Sequence, residues 1–219
     1  MIKIIKGKKI LTLSEKNSKL IPTKENKFLI WSIPAVVTCP NRTALCERYC
    51  YAMKSQRLYP NTKNSREESF NDSLSSDFVT NIIDTIHYYL DKKSYEGKNV
   101  YFRIHESGDF YSKEYVNKWI QIVKQFPAVH FMGYTKSVQF FKDVKLPQNL
   151  VIRYSIWADS NPADIELASQ LQLPIYTAFN KVDLDKAINE NGFIQCVGSC
   201  ENCKMCYKKD VKKLAIKIH

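Results

Sequence analysis

From Lys98 onward the chain repeats one pattern: a short β-branched apolar run, a polar connection, then a segment whose apolar residues recur at helical spacing. Strands are expected at Val100–Ile104, Val129–Tyr134, Leu150–Trp157 and Pro174–Phe179, with Leu214–Ile218 as a closing strand. An earlier buried strand is expected over Phe28–Val37. Between them, Glu114–Phe126, Ala163–Leu171 and Val182–Asn189 read as helices, and Val138–Val144 as a short helix or turn. Phe70, Leu74, Phe78, Ile82, Ile86 and Leu90 recur every four residues, which predicts one amphipathic helix after a polar loop through Pro60. Repeated βα units with short connections demand parallel pairing, because each crossover must carry the chain back across a face of the sheet. Five or six such units are too few to close an eight-stranded barrel. The expected fold is therefore an α/β partial (β/α) barrel of about five or six parallel strands. A doubly wound sheet is the alternative, and no glycine-rich dinucleotide loop follows the first strand to support it.

Residues 1–195 read as this barrel with an N-terminal hairpin over residues 1–13, and 196–219 as a cysteine-rich metal-binding tail with a closing segment. Hydrophobic residues make up 44% and charged residues 25%, enough apolar content for a packed core. The longest apolar run is broken by Ser32 and Pro34, well short of the roughly 20 residues a membrane span needs. The opening MIKIIKGKKILTLS has neither a continuous apolar centre nor a small-residue cleavage site, so a cytoplasmic protein without membrane contact is expected. Lysine plus arginine is 33 against 22 acids, a net charge of +11 that attracts polyanions. The ends are richest, with Lys3, Lys6, Lys8 and Lys9 at one and Lys204, Lys208, Lys209, Lys212, Lys213 and Lys217 at the other, which makes nucleic acid a candidate partner.

The seven cysteines fall into two tight groups. Cys39, Cys46 and Cys50 are spaced C-x6-C-x3-C directly after the first buried strand; Cys196, Cys200, Cys203 and Cys206 are spaced C-x3-C-x2-C-x2-C. Dense thiols in a cytosolic chain hold metal more often than they form disulfides. Three thiolates suit three irons of a 4Fe–4S cube and leave the fourth iron open, while four within eleven residues suit a second cluster. Zinc is the alternative metal, above all in the tail, where four thiolates satisfy a tetrahedral site.

Phe102-Arg-Ile-His-Glu-Ser-Gly-Asp-Phe-Tyr111 begins in a strand and ends before a helix. Polar groups at the C-terminal end of a parallel strand face the rim where α/β proteins bind ligands. Glu106, Ser107, Gly108 and Asp109 offer acceptors for an amine or a ribose with little bulk at the glycine, and His105 is the one histidine with such a context. The same turn also reads as an Asx-type cap for the next helix. Arg153, amid a buried strand, needs either a core partner or a ligand carboxylate.

Leu13-Ser-Glu-Lys-Asn-Ser-Lys19, Thr38-Cys-Pro, Cys50-Tyr-Ala-Met-Lys54, His105-Glu-Ser-Gly-Asp-Phe110 and Cys200-Glu-Asn-Cys-Lys-Met-Cys-Tyr207 resemble the phage and mobile-element family called gene product eighty-eight. That resemblance implies no particular activity. More distantly, a cysteine triad after the first strand, with Tyr49 before its last cysteine and Ser107-Gly108-Asp109 after the second strand, resembles the radical S-adenosylmethionine (SAM) superfamily. This likeness implies a site-differentiated 4Fe–4S cluster on Cys39, Cys46 and Cys50 and an auxiliary cluster on the tail cysteines. It also implies SAM held by Glu106, Ser107, Gly108, Asp109 and Arg153 with Tyr49 near the adenine, and an electron donor such as flavodoxin or ferredoxin. The competing reading is a basic metal-binding module that binds nucleic acid without catalysis. A further one is an iron–sulfur enzyme that uses the open iron as a Lewis acid without SAM.

Overall fold

A computed structural model describes residues 3–5 and 7–218, except the side chains of Lys3 and Asn202; the expectations that touch Met1, Ile2, Lys6 and His219 fall outside them. A small hairpin, β1 (Lys3–Ile5) and β2 (Lys8–Ile10), pairs antiparallel around Gly7, which takes φ +76° at the turn. The main sheet contains β3 (Asn26–Trp31), β4 (Asn99–Ile104), β5 (Val129–Thr135), β6 (Leu150–Ile156), β7 (Ile175–Phe179), β8 (Ile194–Gln195) and β9 (Lys213–Lys217). Its order is β3-β4-β5-β6-β7-β9-β8, and every neighbouring pair is parallel. The first five strands lie side by side in chain order, without the central reversal of a doubly wound sheet; the chain doubles back only at the far edge, where β9 inserts between β7 and β8. The protein is a curled, partial (β/α) barrel.

Seven strands stand where five or six were expected. The extra one, β8, is two exposed residues long, too short to leave a periodicity in the sequence. The first strand also ends sooner than its apolar run: β3 stops at Trp31, because Pro34 has no N–H and the chain turns toward the rim, where the Ile33 N–H bonds the Ser107 carbonyl at 3.0 Å.

The polar loop before Pro60 is helical instead: α1 (Ala44–Arg48) and α2 (Tyr51–Leu58) occupy it. The single expected amphipathic helix is two, α3 (Pro60–Leu74) and α4 (Phe78–Leu90). Ser75, Ser76 and Asp77 break it by local bonding, with the Asp77 N–H on Ser75 Oγ at 3.2 Å, and Lys118 Nζ caps the freed Ser73 and Ser75 carbonyls at 3.1 and 3.2 Å. The remaining helices are α5 (Lys113–Lys124), α6 (Pro162–Gln170), α7 (Lys181–Asn191) and the short α8 (Cys200–Cys203).

Strand alternation divides the core. Leu29, Trp31, Phe102, Ile104, Phe131, Ile152 and Tyr154 face the helices and pack with Phe78, Ile82, Ile86, Trp119 and Ile122. The opposite, concave face carries Phe28 and Ile30 under Leu20, then Tyr101, Arg103, Tyr134 and Arg153. Residues 196–212, between β8 and β9, lie across that face, which is why β6 is buried on both sides from Leu150 to Tyr154.

Candidate functional site

In-register pairing of β3 with β4, Trp31 opposite Ile104, brings the loop after the first strand and the turn after the second to the same rim. Cys39, Cys46 and Cys50 are all partly buried free thiols there. The Thr38 hydroxyl donates to the Pro34 carbonyl at 2.6 Å, and Thr43 caps α1 by accepting from the Cys46 N–H at 3.1 Å. Asp159, in the loop after β6, accepts from the Leu45 N–H at 2.8 Å and ties the triad loop to the far side of the barrel mouth. Burial chiefly, then the nearby Asp109 carboxylate, pushes the Cys39 thiol up to about 12, with Cys46 and Cys50 adding to the shift. Burial also raises Cys46, opposed by the nearby Lys136 ammonium.

Lys136 is the most telling group at the rim. It is only 8% exposed, donates to Ser155 Oγ at 3.0 Å and lies 5.8 Å from the centre of the Trp157 ring. No carboxylate among the described residues stands within ion-pairing distance of it. Sequence reasoning passed it over, although the rule that drew attention to Glu106–Asp109 applies equally to Thr135-Lys136-Ser137 at the end of β5. Beside it opens a polar cleft of about 260 Å³, lined by Asn41, Arg42, Lys136, Ser160 and Asp164 among others.

The Ser107-Gly108-Asp109 turn does meet the triad loop, yet its groups are engaged within the protein. Asp109 is buried and accepts from the Phe110 N–H at 2.6 Å, the Lys136 N–H at 2.9 Å and the Ser137 hydroxyl at 3.5 Å. Burial raises its carboxyl above the usual range against those bonds. Gly108 has φ +88°, and a Cβ there would strike Ile33 and Thr38. The glycine lets the turn nest under the triad loop, so the space expected for a ligand is filled by the chain itself. The Glu106 carbonyl accepts from the Tyr51 hydroxyl. Tyr49 stacks on Trp157, ring centres 6.0 Å apart at 13°. His105 is a core residue: Tyr115, which accepts from Trp31 Nε1 at 3.0 Å, bonds its Nε2 at 3.0 Å, and burial with help from Arg103 pushes its pKa down to about 3.

Arg153 is not at the rim. It is wholly buried, and its Nε and both terminal nitrogens donate to the carbonyls of Cys206, Val211, Met205 and Lys208 at 2.8–3.1 Å. Four of its five N–H groups hold the tail, so it does not serve as the expected carboxylate ligand. Around it, Tyr134 donates to Cys206 Sγ at 2.9 Å, and the Cys200 N–H bonds the Lys19 carbonyl at 2.8 Å. Burial, then Cys206, pushes the Cys200 thiol up to about 11, with Cys196 and Cys203 close enough to contribute. The Tyr207 hydroxyl is buried without a partner in the same place. Arg103, unremarked in the sequence, acts on both thiol groups' surroundings: on Tyr51 beside Cys50, and on Cys200 and Cys206. The thiols thus gather as a rim group of three and a tail group of four. Among the described residues, no three His, Cys, Asp or Glu side chains stand in metal-holding geometry as they are.

A parallel partial barrel with a thiol triad at its mouth and a thiol-bearing tail across its concave face is the class these elements define. The family model described as Gene product 88 matches residues 11–209, and the chain belongs to that family. It is similar to the Gene 88 protein of Mycobacterium phage D29, 28% identical over 138 residues, which is 62% of this chain and 57% of the relative. The Gene 88 protein of Mycobacterium phage L5 is 26% identical over 140 residues, with the same coverage. The matched part thus spans little more than half the length of these curated relatives. No solved structure matches the chain. No helix among the described residues is long and apolar enough to cross a membrane.

Proposed function

We propose that the protein is an iron–sulfur protein with two clusters, one on Cys39, Cys46 and Cys50 and one on Cys196, Cys200, Cys203 and Cys206. The observation that carries this reading is Lys136. A buried ammonium is costly unless anions neutralise it; here it donates to a serine hydroxyl and lies beside the Cys46 sulfur, with the Asp109 and Asp159 carboxylates near enough to act on it but beyond ion-pairing distance. Burial favours the protonated form of free Cys39 and Cys46; a bound metal ion would deprotonate its thiol ligands outright and so place negative charge directly beside the ammonium. The donor set fits soft metal, being thiol only. In the tail, the orphaned Tyr207 hydroxyl and the Tyr134 hydroxyl on Cys206 suit hydrogen bonding to cluster or thiolate sulfur. Cys39, Cys46 and Cys50 would hold three irons of a 4Fe–4S cluster and leave the fourth without a protein ligand, which would supply Lewis-acid or electron-transfer chemistry. SAM does not fit the donors that the sequence suggested, because Asp109, Gly108 and Arg153 are committed to the chain's own backbone and packing.

Anaerobic purification with iron, acid-labile sulfide and zinc analysis tests the reading. A brown protein with broad visible absorption and both iron and sulfide is expected. A colourless protein with stoichiometric zinc and no sulfide after reconstitution overturns it. Adding SAM to the reduced protein and recording electron paramagnetic resonance separates the cluster from that co-ligand, and an unaltered spectrum is expected.

A further inference from the structure

From Arg48 to Arg66 the chain contains five cations and no carboxylate, in a stretch that also holds Tyr49, Tyr51 and Tyr59. Only Arg66 is internal; it reaches back to the Ala52 carbonyl, Ser55 and Gln56 at 3.0–3.2 Å and so fixes which side of α2 faces inward. The other side is solvent. Tyr51, Met53, Lys54, Arg57 and Leu58 are all exposed and fall within an arc of about 160° at 3.6 residues per turn. Tyr51 is 58% exposed, Leu58 56% and Tyr59, at the junction with α3, 61%. A merely solvated helix face does not carry this many large apolar and aromatic groups.

The order of groups on the arc indicates the partner. Lys54 and Arg57 occupy its centre, with Met53 on one flank and Leu58 and Tyr51 on the other, so no continuous apolar stripe is available to enter a lipid layer. Cations flanked by tyrosines match a backbone of phosphates with unstacked bases beside it, the chemistry of a single strand. A duplex hides its base faces and offers the tyrosines nothing comparable. The lysine-rich N-terminal end is less available than its composition implies, because Lys8 pairs with Asp84 at 2.6 Å and Lys9 with Asp72 at 2.5 Å. We infer that α2 and the start of α3 bind single-stranded nucleic acid, with phosphates on Lys54 and Arg57 and bases against Tyr51 and Tyr59. The surface adjoins the rim, since Tyr51 follows Cys50 and its hydroxyl bonds the Glu106 carbonyl, but binding there requires no metal.

Fluorescence anisotropy of a fluorescein-labelled, mixed-sequence single strand with the anaerobically purified full chain tests the inference. The logarithm of affinity falls against the logarithm of salt with a slope of about −2 to −3 if three or four phosphates are neutralised. Lys54→Glu with Arg57→Glu weakens binding about tenfold or more and flattens that slope. Tyr59→Ala weakens it about fivefold or more with the slope unchanged, the signature of lost stacking. Lys181→Glu with Lys186→Glu, two exposed lysines on α7, leaves affinity within about twofold. Far-ultraviolet circular dichroism confirms that each variant is folded. The inference fails if both charge reversals act equally, if Tyr59→Ala is silent while a duplex binds as tightly as the single strand, or if the α2 variant loses binding only to phosphatidylglycerol vesicles.

Discussion

Arg153→Met keeps a long, flexible side chain in place and removes the four guanidinium bonds that hold the tail. In the native protein the guanidinium is fully buried and bonds four carbonyls spread over Met205–Val211. Hydrogen bonds from a charged donor contribute roughly 1.5–3 kcal/mol each, but methionine avoids the desolvation of a buried guanidinium and the released carbonyls regain water where the tail lifts, so the total falls well below their sum, at about 3–5 kcal/mol. About 4 kcal/mol is therefore expected, a large share of the roughly 5–15 kcal/mol that keeps a domain folded. Arg153→Lys keeps the charge, yet one ammonium cannot span four carbonyls, so it falls between the two. Urea unfolding followed by far-ultraviolet circular dichroism gives the stability, and trypsin cleavage gives the location, since the backbone at Lys204, Lys208, Lys209 and Lys212 can enter the protease only once the stretch pinned by Arg153 is freed. Loss of less than about 1 kcal/mol, with the tail still protected, would refute the clamp.

His105 titrates at about 3 in the folded chain against an ordinary 6.5. Between those values the unfolded chain binds a proton that the folded one refuses, so stability falls as pH drops, by about 1.4 kcal/mol per pH unit, and His105→Asn abolishes that dependence in urea titrations at stepped pH. Gly108→Ala combines a positive φ with a Cβ driven into Ile33 and Thr38, and thermal unfolding is expected to show a loss of about 2–4 kcal/mol. If the two clusters form as proposed, Cys46→Ala is expected to remove the rim cluster and about half of the bound iron while the tail stays ordered, and Cys203→Ala to cost global stability, because ligation there would tie the tail to the barrel. Iron analysis paired with thermal melts distinguishes the two, and the reverse pattern would exchange the structural and open roles of the two groups.

Parallel architecture was legible from the chain alone, because an apolar run of strand length followed by an amphipathic segment has few other ways to bury both faces. Leu29, Trp31, Phe102, Ile104, Phe131 and Ile152 declare the helix-side core through period-two spacing that needs no knowledge of neighbours. The two cysteine groups were equally plain, since ligand spacing is local. What stayed hidden depends on partners distant in sequence. The sequence left Arg153 undecided between a core partner and a ligand, and only the crossing of the tail over the concave face, some fifty residues later, shows where its donors go. Glycine and aspartate in Ser107-Gly108-Asp109 looked open to a ligand, because nothing nearby in the chain shows that Ile33 fills the glycine's space or that the Lys136 N–H takes the carboxylate. Lys136 itself resembles any of the chain's many lysines until β5 and β6 bury it against Cys46 and Ser155. Local periodicity sets which elements form; burial, and with it the cost of an unpaired charge, exists only once those elements close on one another.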